Sequence, residues 1–336
     1  MKKQLLLIAL FAGTVGSSFA QQDKVLTHFM YDRTTVNPAA TALTRHSICG
    51  TFIYRNQWDK INGAPNSGSF NVEADLNQQL PHFFAGISFF QDMIGFNRQN
   101  FATLNLGYSF EAILPFDLRI GAGLGIMNHS VTPNWLPPET LIDENLTQPF
   151  SRTGFDANFG LYARHTLENG TRAGDKWNFG ISMTHLPAAN LESGIQNSAG
   201  IPLGFQSARH IYVMGGYTMT GITPTGDLDV QFMTQSDLIE WSTQISARYI
   251  HKNMVYGGLN FRSEDMIGLM AGVKPFALAD NSGFPPALNR MLIGYSYDFS
   301  INQLSNISQG SHEIFVRYCH PLPGVPMTIS KHPRWL

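Results

Sequence analysis

Apolar and polar positions alternate along this chain with a period of two. In 118–127, Leu118, Ile120, Ala122, Leu124 and Ile126 are separated by Arg119, Gly121, Gly123 and Gly125. In 155–165, Phe155, Ala157, Phe159, Leu161 and Ala163 alternate with Asp156, Asn158, Gly160, Tyr162 and Arg164. Such a period sends successive side chains to opposite faces of a strand. Eight to twelve residues of it match a tilted strand crossing a bilayer, one face to lipid and the other to a lumen. The same reading places strands near 46–57, 67–75, 83–92, 100–111, 117–128, 153–165, 175–185, 208–219, 226–234, 241–250, 253–262, 265–273, 288–299 and 310–320. The expected fold is all-β, a transmembrane outer-membrane β-barrel of about fourteen antiparallel strands, an even number as in single-chain bacterial barrels.

Parity then assigns the connections to sides. With the N-terminus on the periplasmic side, the two longest gaps, 129–152 and 186–207, fall outside, where such barrels carry their long loops. The tight turn at His251-Lys252 falls inside. One gap resists the scheme: 274–287, with Pro275, Pro285 and Pro286, makes a long periplasmic turn. Aromatic residues near strand ends, Trp58, Phe110, Trp177, Trp241 and Tyr297, suit the membrane interfaces.

The start of the chain adds an export signal. Lys2 and Lys3, the apolar run Leu5 to Ala12 and Ser18-Phe19-Ala20 read as a signal peptide over 1–20. No cysteine follows the cleavage point, so a lipid-modified N-terminus is not expected. The remainder divides into a periplasmic N-terminal segment (21–45), the barrel (46–320) and a C-terminal tail (321–336). Beyond the signal no long apolar run occurs, which excludes a helical membrane protein and leaves an exported soluble β-protein or a barrel. Charged residues at 14%, aromatics at 12% and 31 glycines favour the barrel. A net charge of −2 without a basic stripe argues against nucleic acid as a partner.

The two cysteines are too few for a disulfide scaffold or a zinc site. Cys49 and Cys319 fall on the first and last strands, both inward by parity and near the periplasmic ends. Closure of the barrel makes those strands neighbours, so the two Cα atoms are expected within about 10 Å, close enough for a disulfide without requiring one.

No catalytic or cofactor pattern survives its context. Gly121-Ala122-Gly123-Leu124-Gly125 has period two and reads as one strand's inward face, not as a phosphate loop. The eleven histidines form no HExxH pair. His312 and Glu313 face opposite ways on a strand, and Ser296 in Gly294-Tyr295-Ser296-Tyr297-Asp298 lacks the second glycine of a nucleophile elbow. The inward faces carry Arg55, Arg119, Arg164, Arg248, Arg262 and Arg317 against Asp156, Asp229, Asp298 and Glu313. Paired charges that stiffen the lumen, or a polar conduit, both fit that set. The abundant inward glycine leaves room for a pore or a plug.

Several motifs go further. Phe29-Met30-Tyr31-Asp32 precedes Val36-Asn37-Pro38-Ala39-Ala40. Tyr54-Arg55-Asn56-Gln57-Trp58 is followed by Ile61-Asn62-Gly63-Ala64-Pro65. Ile293-Gly294-Tyr295-Ser296-Tyr297-Asp298 comes before Gly310-Ser311-His312-Glu313-Ile314. In this order and spacing the chain resembles the PorP/SprF family of outer-membrane proteins over essentially its whole mature length. The resemblance implies a non-enzymatic component of the type IX secretion and gliding machinery. The partners it implies are periplasmic ring subunits, a peptidoglycan-binding lipoprotein and, for some members, the C-terminal domain of a secreted adhesin.

The residues themselves suggest structural roles. Asn37-Pro38 initiates a turn that fixes the chain at the barrel entrance or caps the lumen. Arg55 lies inward near the membrane edge, and Trp58 marks the outer interface. Asp298 and Glu313, inward on the last two strands, suit pairing with lumen arginines and locking of closure; Arg317 belongs to the same inward set. The outer loops 129–152 and 186–207 are the candidate partner surfaces, the first holding Trp135-Leu136-Pro137-Pro138 as a docking patch or as simple loop packing. An interaction component of the secretion machinery is the leading expectation. A transport barrel for small or apolar solutes is the alternative, and a membrane-embedded hydrolase a third.

Overall fold

A computed structural model describes residues 25–111, 114–132, 149–169, 171–196, 202–263, 265–278 and 285–322. The expected signal peptide, the Trp135–Pro138 patch and the tail beyond 322 lie outside the described residues. The strands are β1 (Ser47–Asn56), β2 (Asn66–Asp75), β3 (Phe83–Ile94), β4 (Asn97–Ser109), β5 (Asp117–Val131), β6 (Phe150–Thr166), β7 (Lys176–Thr184) and β8 (Asn190–Gln196). They continue as β9 (Pro202–Gln206), β10 (His210–Thr223), β11 (Gly226–Ser236), β12 (Trp241–His251), β13 (Val255–Arg262), β14 (Met266–Val273), β15 (Leu292–Ser300) and β16 (Ser311–Pro321).

Fourteen of these strands close into one antiparallel barrel, each paired with its sequence neighbours except that β7 pairs with β10 and β16 closes on β1. The remaining two, β8 and β9, form a separate hairpin within the connection from β7 to β10. It begins with Ala189 and Leu191 over Gly154 of β6, where an added Cβ would come within 2.9 Å of Ala189 and 3.0 Å of Leu191. Alternation did not mark this hairpin, because its strands, of 7 and 5 residues, fall short of the eight to twelve that mark a bilayer-crossing strand. One expected strand also starts late: Pro286–Arg290 takes a 3-10 turn with proline in its first positions, so β15 begins at Leu292 and not near 288.

The two faces are inverted relative to a water-soluble protein. Phe52, Ile87, Leu124, Phe155, Leu259 and Ile314 are exposed on the outside, while Asn71, Asn105, Asn158, Gln231, Ser246 and Asn260 are buried inside. That distribution suits lipid around a polar interior. On β5, Arg119 is buried and Ala122, Leu124 and Ile126 are exposed, the faces expected from alternation. Closure brings Cys49 opposite Cys319, with Cα atoms 4.1 Å apart, and the two are joined by a disulfide.

The apolar core lies inside the barrel. Leu26, Phe29, Met30, Val36, Ala39 and Ala40 pack against Ile53, Tyr162, Tyr212, Met214 and Phe315 of the wall. Over its described part, 25–45, the segment expected on the periplasmic side instead occupies the lumen. The reason is geometric. Eight strands leave an interior that wall side chains can fill, whereas fourteen leave a wider one. The apolar residues of this segment are buried only by entering that space.

The segment crosses the lumen from rim to rim. We call the rim where β1 begins the near rim and the opposite one the far rim. Thr27 and His28 meet Glu313, close to the far-rim start of β16, whereas Ala42 meets Glu73 and His46 meets Asp75 at the near-rim end of β2.

Candidate functional site

A segment without strand partners buries backbone donors and acceptors that must be satisfied by something else. The wall meets the segment's backbone and side chains at four levels.

Nearest the far rim, Arg55 of β1, Asp298 of β15 and Glu313 of β16 converge, all about 1% exposed. Arg55 Nη1 donates to Asp298 Oδ2 at 2.5 Å and to Glu313 Oε2 at 3.3 Å. The carboxylates then reach the plug: Glu313 accepts the backbone N–H of Thr27 at 2.8 Å and of His28 at 2.7 Å, and its Oε1 lies 2.8 Å from His28 Nδ1. Thr27 Oγ1 donates to Asp298 Oδ2 at 2.7 Å and accepts from Arg55 Nη1 at 2.8 Å. Gln244 Nε2 holds the Leu26 carbonyl at 3.0 Å. Hydrogen bonds to charged groups contribute about 1.5–3 kcal/mol each, so this cluster is the strongest tether in the segment.

At mid-depth, Asp32 accepts from Ser69 Oγ and from Asn71 Nδ2, each at 2.5 Å. The Tyr31 ring stacks on Phe315 with centroids 4.5 Å apart, and its hydroxyl accepts from Arg248 Nη1 at 2.8 Å. Arg33 donates to Tyr162 OH at 2.8 Å and to Gln231 Oε1 at 2.7 Å.

The Asn37-Pro38 turn forms the next level. Asn37 is extended, which suits a residue before proline, and Pro38 opens a 3-10 turn through Ala40. Asn37 Oδ1 accepts from Ala39 N–H at 2.9 Å, while its Nδ2 donates to the Leu161 carbonyl of β6 at 3.1 Å. Inward glycines make room for it. A Cβ on Gly160 would stand 2.1 Å from Asn37 Oδ1, and one on Gly121 2.4 Å from Ala39 N. The plug is what those glycines accommodate.

At the near rim, Glu73 accepts from Ala42 N–H at 2.8 Å and from Arg317 Nη2 at 2.6 Å, while Arg317 Nη1 donates to Thr51 Oγ1 at 2.6 Å. Arg164 pairs with Asp117 at 2.8 Å and donates to the Leu43 carbonyl.

Asn37, Pro38, Arg55, Asp298, Glu313 and Arg317 therefore all meet around one structure, the lumen plug. Trp58 does not. It lies half-buried in the far-rim turn after β1 with φ +53, and its backbone N–H donates to Ser311 Oγ at 3.1 Å. Of the remaining lumen charges, Arg248 pairs with Asp229, Arg262 with Asp265, and Asp156 with His185 at 3.1 Å. Arg119 instead lies over the Phe84 ring, 3.7 Å from its centroid.

Thr27, His28, Arg33 and Glu73 were not singled out in the sequence, and Asp32 entered only as the last residue of the Phe29-Met30-Tyr31-Asp32 motif. Glu73 was within reach, since it is inward by parity between Asn71 and Asp75. Asp32, an acid ending the apolar Phe29-Met30-Tyr31, was a second available signal. Thr27 and His28 carry none.

No curated protein matches the chain. Among solved structures it is similar to a FadL homologue of Pseudomonas aeruginosa, at 12% identity over 85% of this chain and 93% of that one, with a TM-score of 0.45. It is similar to the CymD monoaromatic hydrocarbon channel at 9% identity, covering 91% and 94% of the two chains with a TM-score of 0.44. The NanC porin is similar at 10% identity over 81% and 98%, with a TM-score of 0.37. The family model described as type IX secretion system membrane protein PorP/SprF matches residues 18–318, the span that holds the plug, the Asn37-Pro38 turn and the Arg55 cluster, and the chain belongs to that family.

Proposed function

We propose that this protein is a non-enzymatic, non-conducting component of the type IX secretion system that holds partner proteins at the outer membrane. One observation carries the reading: the lumen is crossed from rim to rim by the chain's own N-terminal segment, tied to the wall at every level. A barrel sealed in this way is a rigid membrane platform. Its work then falls to its two mouths. On the near side the partners are the periplasmic ring subunits and a peptidoglycan-binding lipoprotein; on the far side, the C-terminal domain of a secreted adhesin. Transport of small or apolar solutes would require the plug to leave, against the buried Arg55 cluster.

The test is purification of the tagged protein from its native outer membrane after mild crosslinking, with mass spectrometry of what travels with it. Secretion subunits in near-stoichiometric amount are expected. Recovery of the protein with lipid alone, together with steady open-channel conductance in planar bilayers, would replace this reading with transport.

A further inference from the structure

Between the plug and the near rim the lumen widens into a vestibule of about 1080 Å³. Its ceiling is formed by Met30, Tyr31 and Arg33 of the plug, and the turns after β4 and β6 bound its mouth. A small-molecule pocket usually holds ~300–1,000 Å³, so this space lies at or beyond the upper end of that range. It is also a dead end, because the plug closes it above. A solute entering from the near rim has no onward path, whereas a segment belonging to a larger partner needs none.

The charges state what kind of segment fits. Arg164 is paired with Asp117, Arg248 with Asp229 and Arg45 with Glu111. That leaves Arg33 and Lys176 in the lining with no carboxylate partner among the described residues. The remaining lining acid, Glu168, is exposed in the turn at the mouth. Arg33 is half-buried and held by neutral acceptors only, Tyr162 OH at 2.8 Å and Gln231 Oε1 at 2.7 Å. Its orientation is fixed while its charge stays uncompensated. A planar guanidinium so placed matches a carboxylate, which can take two parallel N–H donors. Met30 and Leu43, also in the lining, offer apolar surface for the rest of a peptide.

We propose that the near-rim vestibule is a docking site for a carboxylate-bearing polypeptide segment of a partner, anchored on Arg33. The inference rests on the partner-holding reading only in naming the face that is used; the assay below needs no native partner and fails independently of the co-purification.

The intact protein in detergent at low salt is titrated against three rhodamine-labelled octapeptides, followed by fluorescence anisotropy. One carries glutamates and an amidated end, one carries glutamines and a free C-terminal carboxylate, and one carries glutamines and an amidated end. At least one carboxylate peptide is expected to bind and the neutral one not, and the two carboxylate peptides separate side-chain from C-terminal recognition. Arg33→Gln should weaken binding at least tenfold and Arg33→Lys less. Lys176→Gln, which leaves the plug untouched, should weaken it about threefold, as expected for loss of one less enclosed charge. Arg98→Gln, an equal charge change on the exposed far-rim end of β4, should have no effect. Retention of the heat-modifiable electrophoretic shift shows that each variant is folded. Equal binding of the neutral peptide, equal loss in Arg98→Gln, unchanged affinity in folded Arg33→Gln, or no binding of any peptide at millimolar concentration would each overturn the proposal. If Arg33→Gln does not fold, unchanged affinity in Lys176→Gln overturns it alone.

Discussion

Arg55 and Asp298 meet at 2.5 Å across the strands that close the barrel, each with a side chain only 1% exposed. Asp298 lies on β15, two strands away from Arg55 through β16, and Thr27 of the plug sits between them, bonded to both. The same pair therefore fastens the wall and the N-terminal segment. Removing one partner of a buried ion pair costs about 3–5 kcal/mol, because the other charge is left uncompensated. Arg55→Met should lower the unfolding free energy of the detergent-solubilised barrel by that much, seen as a lower urea midpoint by tryptophan fluorescence. Adding Asp298→Asn to Arg55→Met should restore part of the loss. A wild-type midpoint for Arg55→Met would show that the cluster contributes nothing.

A second outcome concerns the space left for the plug. Gly160→Val places carbon where Asn37 Oδ1 now sits, 2.1 Å from an ideal Cβ, and the turn must move or the wall must strain. Overpacking of this kind costs about 1–3 kcal/mol. The variant should become sensitive to trypsin at Arg33, which is packed in the lumen of the wild type. Gly50→Ala, where a Cβ meets nothing within 4 Å, should behave as wild type. Equal protection of Arg33 in both variants would argue against the turn's fit to Gly160.

The lipid face can be tested on β5. Leu124→Arg puts a charge at an exposed outward position in the middle of the strand and should cost roughly 2–4 kcal/mol near the bilayer midplane. Folding titrations into phosphatidylcholine vesicles measure it. Insertion as efficient as wild type would mean that this face does not meet the hydrocarbon.

The closing disulfide makes a further prediction. Cys49 and Cys319 are register partners 270 residues apart in sequence. A crosslink between such distant positions constrains the unfolded chain, typically for about 2–4 kcal/mol. Cys49→Ser should lower the unfolding free energy by that order, seen as a lower midpoint, and reductant should lower the wild-type midpoint equally while leaving the variant unchanged. A midpoint insensitive to both would show that neighbouring strand pairs already hold the closure.

Period-two alternation by itself determined the faces and the number of the barrel strands, because lipid outside and a polar lumen inside write opposite residue types on successive positions. Parity and closure together were enough to place Cys49 beside Cys319. Paired charge on the inward face was legible in the same way, though not which acid each arginine meets: Arg55 finds Asp298 and Glu313, and Arg317 finds Glu73. Only the tertiary structure decided that residues 25–45 fill the lumen. That segment has no strand periodicity, and its hydrogen-bond partners lie far along the chain, as Glu313 does from His28 and Leu161 from Asn37. The glycines at 121 and 160 report a close approach without naming what approaches. The fit between a turn at Asn37 and a wall 124 residues away exists only once the barrel has closed around it.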